Sequence, residues 1–205
     1  MKELNMKQLN FRLVIVIVLL ALTVNLNAQE RTKRRFIPDE IAVQYAGNIG
    51  IVSVGAGWNY AKKDCLGTTF AIGYVPDYHS YHGSACFSLK EEYTPWRVKM
   101  GEVAAFRPLT VGIMVTLITG NNFWILEPHH YPSNYYGVMS KVRFHLLLSQ
   151  QFDFFIKNKK NDSKRRLSFF YQVNSYDLNI IDSFNSEYVK FKDILDLAIG
   201  IKIQI

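Results

Sequence analysis

The chain has 205 residues, which is enough for one ordinary domain. Aromatic residues make up 14% of it, charged residues 20%, and the formal net charge is +7. The basic residues concentrate in two short runs, at 31–35 and 157–166, without interleaved stacking aromatics. This pattern argues against a nucleic-acid-binding protein and favours a solvated linker and a solvated turn.

The first 28 residues have the pattern of a secretory signal peptide. Lys2, Lys7 and Arg12 precede the apolar run 13–22, and the small residue Ala28 marks the expected cleavage position. The apolar run is shorter than the roughly 20 residues of a spanning helix, so an uncleaved anchor is the less favoured alternative. We therefore divide the chain into a signal peptide (1–28), a basic linker (29–38) and a β-barrel (39–205).

Strand-like segments follow one another from residue 40 to the chain end. Apolar and polar residues alternate in each with a period of two, which places them on opposite faces of a β-strand. The two connections 94–107 and 150–166 are predicted to be long. The predicted strands are 40–46, 50–60, 66–75, 84–93, 108–118, 136–148, 167–178 and 195–205.

The last predicted strand has the clearest alternation. Leu195, Leu197, Ile199, Ile201 and Ile203 share one face, and the residues between them are polar or small. A membrane-spanning strand needs about 9–11 residues, and an unbroken aliphatic face suits contact with lipid. The sequence therefore predicts an all-β fold, an up-and-down, eight-stranded antiparallel transmembrane β-barrel. A soluble secreted β-sandwich acting as a binding module is the competing class.

Polar residues on the predicted inner faces include several charges. An eight-stranded barrel is only wide enough inside for side chains, and buried charges must be paired. We therefore predict a polar plug in the lumen instead of a conducting pore. Its predicted members are Lys90, Glu92, Lys141, Arg143, His145, Gln172, Asn174 and Lys202.

Tyrosine and tryptophan residues cluster near the predicted strand ends. Rings with a polar edge prefer the lipid headgroup level, so these residues predict an aromatic girdle. Its predicted members are Tyr45, Trp58, Tyr74, Tyr93, Trp96 and Tyr136.

Four stretches carry a resemblance to a known class, namely 36–50, 73–76, 93–96 and 197–200. They resemble uncharacterised small outer-membrane β-barrel proteins of Gram-negative bacteria, and the architecture is similar to the OmpX-type eight-stranded class. The resemblance implies an outer-membrane location, membrane lipid as the surroundings, insertion by the barrel-assembly machinery and a monomer. Such barrels usually end in an aromatic residue, and Ile205 departs from that pattern. We expect a non-enzymatic structural or surface-interaction role through the outer loops, without a cofactor.

A lipid A-modifying enzyme is the alternative function. Lipid A deacylases of the PagL type are also small barrels, and they use a His-x-Ser pair with a glutamate. His82, Ser84 and Glu92 are similar to that set, although Ala85 stands where the family has asparagine after the serine. A nucleophilic serine needs an adjacent base and an orienting acid.

Four histidines lie in two predicted outer loops, His79 and His82 in one and His129 and His130 in the other. Imidazole groups suit Zn²⁺ or a similar ion. The spacing matches no tight ligand motif, so we expect solvated loop histidines and no metal.

Overall fold

The computed structural model describes residues 37–61, 64–76, 83–120, 141–157, 164–177 and 195–205. Within these residues, no helix is long and apolar enough to cross a membrane. The strands are β1 (Glu40–Ala46), β2 (Val52–Tyr60), β3 (Leu66–Val75), β4 (Ser84–Tyr93), β5 (Val98–Met100), β6 (Ala104–Ile118), β7 (Val142–Lys157), β8 (Lys164–Tyr176) and β9 (Asp196–Gln204).

All of these strands belong to one antiparallel sheet, in the order β4-β3-β2-β1-β9-β8-β7-β6-β5, and β4 also pairs with β6. That additional pairing closes the sheet. Because β4 and β5 pair with successive parts of β6, β5 continues the wall that β4 begins. The fold is an eight-stranded, up-and-down, closed β-barrel, so this part of the prediction is confirmed. A single closed sheet rules out the two packed sheets of a sandwich.

The register of the strands sets their tilt. Thr110 lies beside Thr94 at the end of β4, since their hydroxyl oxygens are 2.9 Å apart. The paired residues can be followed from Thr110 across each neighbouring strand until the path returns to β4. It returns at Ser84, which is about ten residues from Thr94, and this offset is the stagger of the closed sheet. For eight strands this stagger corresponds to a tilt of about 35–45° and an interior that side chains fill. The path runs through Ser149, Gln172, Ala198, Ala46, Ile51 and Val75.

Side chains alternate between the barrel interior and its outer surface along each long strand. In β9, Ala198 and Lys202 are buried, whereas Leu197, Ile199 and Ile201 are exposed. The other strands largely repeat this arrangement, with large apolar side chains outside and small or polar ones inside, and the large apolar exceptions inside include Met114, Leu147 and Phe170. Exposed members of the outer surface include Ile41, Val43, Val54, Phe70, Ile72, Leu89, Leu146, Leu148, Phe152 and Phe169.

Two predicted connections were wrong. Segment 94–107 contains β5 and the first residues of β6, and segment 150–166 contains the end of β7 and the start of β8. Pro108 does not end β6, because a register shift between Arg107 and Thr110 accommodates a residue without an N–H group. The predicted strands 40–46, 66–75 and 84–93 match β1, β3 and β4, while residues 136–140 lie outside the described residues.

The turn between β1 and β2 folds into the barrel mouth opposite the end where β1 begins and β9 ends. Ile49 is almost fully buried there against the inward-facing Cys86, Met114 and Leu147. Gly47 and Gly50 have φ angles of +80° and +109°, which glycine adopts without steric cost. The turn therefore places an apolar side chain across this end of the lumen.

Candidate functional site

Paired ions occupy the centre of the lumen. Lys202 Nζ lies 2.6 Å from Glu92 Oε2 and 3.7 Å from Glu40 Oε1. Lys90 Nζ lies 3.5 Å from Glu92 Oε1, and Arg166 Nη2 donates a hydrogen bond of 2.8 Å to Glu40 Oε2. All five side chains are buried. Each charge thus has an opposite charge beside it, as burial in a low-dielectric interior requires.

Side-chain amides extend this network to the β1–β2 turn. Lys90 Nζ donates to Gln172 Oε1 at 3.1 Å, and Gln172 Nε2 donates to Asn174 Oδ1 at 2.6 Å. Asn174 Nδ2 in turn donates to the carbonyl oxygen of Gly47 at 2.9 Å. An unbroken series of ion pairs and hydrogen bonds therefore runs through the lumen from Arg166 to the turn at the opposite end.

Phe170 packs beside both buried lysines. Its ring centroid is 5.2 Å from Lys90 Nζ and 5.3 Å from Lys202 Nζ, which is within cation–π range. The ring fits because Gly200 has no Cβ, and a Cβ built there would overlap the Phe170 ring. An inward aromatic side chain thus contributes to the stabilisation of two ammonium groups away from water.

A second cluster surrounds Asp153, near the barrel end where β1 begins and β9 ends. Arg107 Nε donates to Asp153 Oδ2 at 3.0 Å, and Arg97 Nε lies 3.5 Å from the same oxygen. Gln151 Nε2 and Ser168 Oγ donate to the other oxygen at 2.6 and 2.7 Å. The carboxylate is fully buried and accepts from three different strands.

His145 lies closer to the opposite mouth, where its Nε2 is 2.8 Å from Thr116 Oγ1. A hydroxyl nucleophile with a histidine base also needs a group that orients the base. Among the described residues, His145 Nδ1 has no hydrogen-bond partner. The pair therefore lacks the third member of a catalytic triad within the part of the chain that the structure describes.

The predicted plug residues fall into two groups. Lys90, Glu92, His145, Gln172, Asn174 and Lys202 are buried in the lumen with the contacts given above. Arg143 lies at the mouth, 3.6 Å from Asp177, and the half-buried Lys141 directly precedes β7.

Sequence reasoning missed four inward charges, Glu40, Arg107, Asp153 and Arg166. Glu40 directly precedes the outward-facing Ile41 in β1, so the alternation could have predicted that Glu40 faces inward. The other three lie in segments that were predicted to be connections, where no inner face was assigned.

The predicted girdle residues lie near both ends of the barrel. Tyr45 and Tyr74 are exposed at the end with the β1–β2 turn. Tyr93 and Trp96 are exposed at the opposite end, where β1 begins and β9 ends. Trp58 is half-buried near that second end, and Tyr136 lies outside the described residues.

The residues of the alternative enzyme do not come together. Ser84 and Glu92 lie on the same strand, about 26 Å apart at about 3.3 Å per residue. Glu92 is also bound to Lys202, so it is not placed to orient a base beside Ser84. His82 lies outside the described residues.

The predicted metal alternative falls on loop residues. His79, His82, His129 and His130 all lie outside the described residues. Across the described ranges, no group of three or more His, Cys, Asp or Glu side chains could hold a metal ion.

Together, the closed sheet and the lumen define a class of protein, an eight-stranded β-barrel with a filled, polar interior and an apolar outer surface. No family model, no curated protein and no solved structure matches the chain.

Proposed function

We propose that this chain is a non-enzymatic, monomeric outer-membrane β-barrel that has a structural or surface-interaction role. In this proposal residues 1–28 direct export and are removed, the barrel-assembly machinery inserts the barrel, and lipid surrounds it. The single observation that carries the proposal is the distribution of side chains, with charges buried inside the barrel and large apolar groups exposed outside it.

The outer surface supports the proposal through its extent. On β9 alone, Leu197, Ile199, Ile201 and Ile203 are 37% to 61% exposed, and aliphatic or aromatic residues continue around the barrel. Soluble monomers rarely expose contiguous apolar patches of more than a few hundred Å². Each Å² of apolar surface removed from water is worth about 25 cal/mol, so a lipid environment favours this surface strongly.

The lumen supports a structural role over transport. The ion pairs of Glu40, Glu92 and Lys202 join β1, β4 and β9 across the interior, and Ile49 covers the far end. Because these side chains fill the lumen and are held in place by opposite charges, they leave no continuous path for hydrated ions. A rigid barrel of this kind can present the segments that follow β1, β3, β6 and β8 on one side of the membrane.

Membrane fractionation of cells that express the full chain tests the location. We expect the protein in the outer-membrane fraction of a Gram-negative host, with a mobility on unboiled gels that changes after boiling. A matched variant with Leu19→Arg and Leu20→Arg in the apolar run should stay in the cell interior. Recovery of the unaltered chain in the soluble periplasm, without heat-dependent mobility, would overturn the proposal.

Two functional assays test the non-enzymatic role. The purified barrel should give no steady ion conductance in planar bilayers, since its lumen is filled. Lipid A from expressing cells should have the same acyl chains whether the chain is unaltered or carries Ser84→Ala. Steady conductance, or acyl loss that depends on Ser84, would contradict this role.

A further inference from the structure

Two arginines approach one buried carboxylate at the barrel end where β1 begins and β9 ends. Arg107 and Arg97 both direct Nε toward Asp153 Oδ2, at 3.0 and 3.5 Å. Gln151 and Ser168 donate to the second oxygen of Asp153, so this carboxylate already has several donors. The remaining N–H groups of the two guanidinium groups exceed what Asp153 can accept.

Specific donor atoms remain without partners. Arg107 is 5% exposed, and its buried Nη2 has no hydrogen-bond partner among the described residues. Arg97 Nε likewise makes no hydrogen bond within those residues, since its 3.5 Å approach to Asp153 is an ion pair only. Buried polar groups are normally hydrogen-bonded, and an unpaired guanidinium donor is a strong exception.

The buried charges near this site also carry an excess of positive charge. Among the buried side chains from this end to the centre of the lumen, four cations face three carboxylates. The cations are Lys90, Arg107, Arg166 and Lys202, and the carboxylates are Glu40, Glu92 and Asp153. Even with Asp64 counted as a partner of Arg97, the cluster carries a net positive charge.

Arg97 connects this cluster to the outside. It lies in the connection between β4 and β5, and its side chain is 26% exposed. Partial burial, and then the neighbouring charge of Arg107, lowers the pKa of the Arg97 guanidinium from its usual value. The partly exposed Arg97 side chain is therefore the point at which a ligand would meet the cluster, and a negative charge there would relieve the repulsion between the two arginines.

We propose that this mouth of the lumen binds a phosphate group, held by Arg97 and Arg107. Guanidinium groups donate charge-assisted hydrogen bonds to phosphate oxygens, and each of the two arginines has one N–H donor without a partner among the described residues. The phosphate belongs either to a soluble anion or to a lipid headgroup, because the mouth lies beside the exposed apolar residues Val98 and Met100 of β5. This inference goes beyond the proposed function and does not depend on membrane insertion.

Calorimetric titration of the refolded barrel in zwitterionic detergent at low salt tests the proposal, with inorganic phosphate as the probe. We expect saturable binding that weakens as chloride is added. Arg107→Gln should abolish binding, and Arg97→Gln, at the partly exposed position, should weaken it at least tenfold without loss of the fold. Arg165→Gln is the matched control, since Arg165 is an exposed arginine of β8, and this variant should bind phosphate as the unaltered chain does.

A parallel titration with a short-chain phosphatidic acid identifies the source of the phosphate. Binding of inorganic phosphate supports a soluble anion, and binding of phosphatidic acid alone supports a lipid headgroup, provided that Arg97→Gln weakens it. Failure of both probes would overturn the proposal. Asp162 lies between β7 and β8, outside the described residues, and Asp162→Asn tests whether it fills the site instead. Phosphate binding that appears only in that variant would likewise overturn the proposal.

Discussion

Replacement of Glu92 by glutamine is expected to destabilise the barrel severely. Glu92 is the carboxylate shared by Lys202, at 2.6 Å, and Lys90, at 3.5 Å, and all three side chains are buried. Glutamine keeps the shape but removes the charge. Lys202 then retains only Glu40 at 3.7 Å as an ionic partner among the described residues, while Lys90 retains its hydrogen bond to Gln172.

The expected magnitude follows from the cost of an uncompensated buried charge. Removing one partner of a buried ion pair costs about 3–5 kcal/mol, because the remaining ion loses its compensation but not its burial. This is a large share of the roughly 5–15 kcal/mol by which a folded domain is stable. The double variant Glu92→Gln/Lys202→Met removes both ions, so its loss should be smaller than the sum of the two single losses by about 0.5–3 kcal/mol.

Urea unfolding of the refolded protein in lipid vesicles, followed by tryptophan fluorescence, measures these losses. Glu102→Gln is the control, since Glu102 is an exposed glutamate in the turn between β5 and β6 and should change stability by less than about 0.5 kcal/mol. If the free energy of unfolding of Glu92→Gln lies within about 1 kcal/mol of that of the unaltered chain, the lumen is hydrated and the cost expected from burial is refuted.

Two further substitutions probe the turn and the outer surface. Gly73→Ala should cost about 1–3 kcal/mol in the same urea assay, because its Cβ would overlap the carbonyl oxygen of Ile49 and displace the β1–β2 turn. Gly67→Ala, where the nearest atom is a movable side chain at 3.3 Å, should change stability little, and equal losses at both positions would contradict the buried turn. Ile199→Arg should cost about 2–4 kcal/mol in bilayers but much less in a soluble barrel, since an arginine in the lipid-facing belt lies in hydrocarbon. Val103→Arg, in the exposed β5–β6 turn, is the control. A loss of stability for Ile199→Arg as small as that for Val103→Arg would argue against lipid contact.

Within β4 and β9, the alternation of residues indicates which side chains share a face of the strand. Because the side-chain period of a strand is two, Lys90 and Lys202 must face away from Leu89 and Ile201. The number of such segments favoured a barrel but left a β-sandwich open, and only the pairing of β4 with β6 excludes the sandwich. Partner choice inside the lumen did not follow, because Lys202 and Glu92 are 110 positions apart and meet only through the stagger of the closed sheet.

The arginine cluster could not be predicted because two local signals were misleading. Pro108 predicted a strand start, whereas the irregularity between Arg107 and Thr110 allows β6 to begin at Ala104. The charged run after Phe155 predicted a solvated connection, although Phe152 and Phe154 alternate with Gln151 and Asp153. β5 has three residues, which is too short for a periodic pattern.

Collision of spin labels with oxygen and with a water-soluble nickel chelate tests most directly whether the outer surface faces lipid. Labels at Phe70, Leu146 and Ile199 sample three sides of the barrel, after Cys65→Ser and Cys86→Ala remove the two cysteines. In reconstituted vesicles, we predict that all three labels collide more with oxygen than with nickel, while a label at Val103 collides more with nickel. Preferential nickel collision at all three outward positions would mean that the apolar surface faces water and would contradict a membrane-spanning barrel.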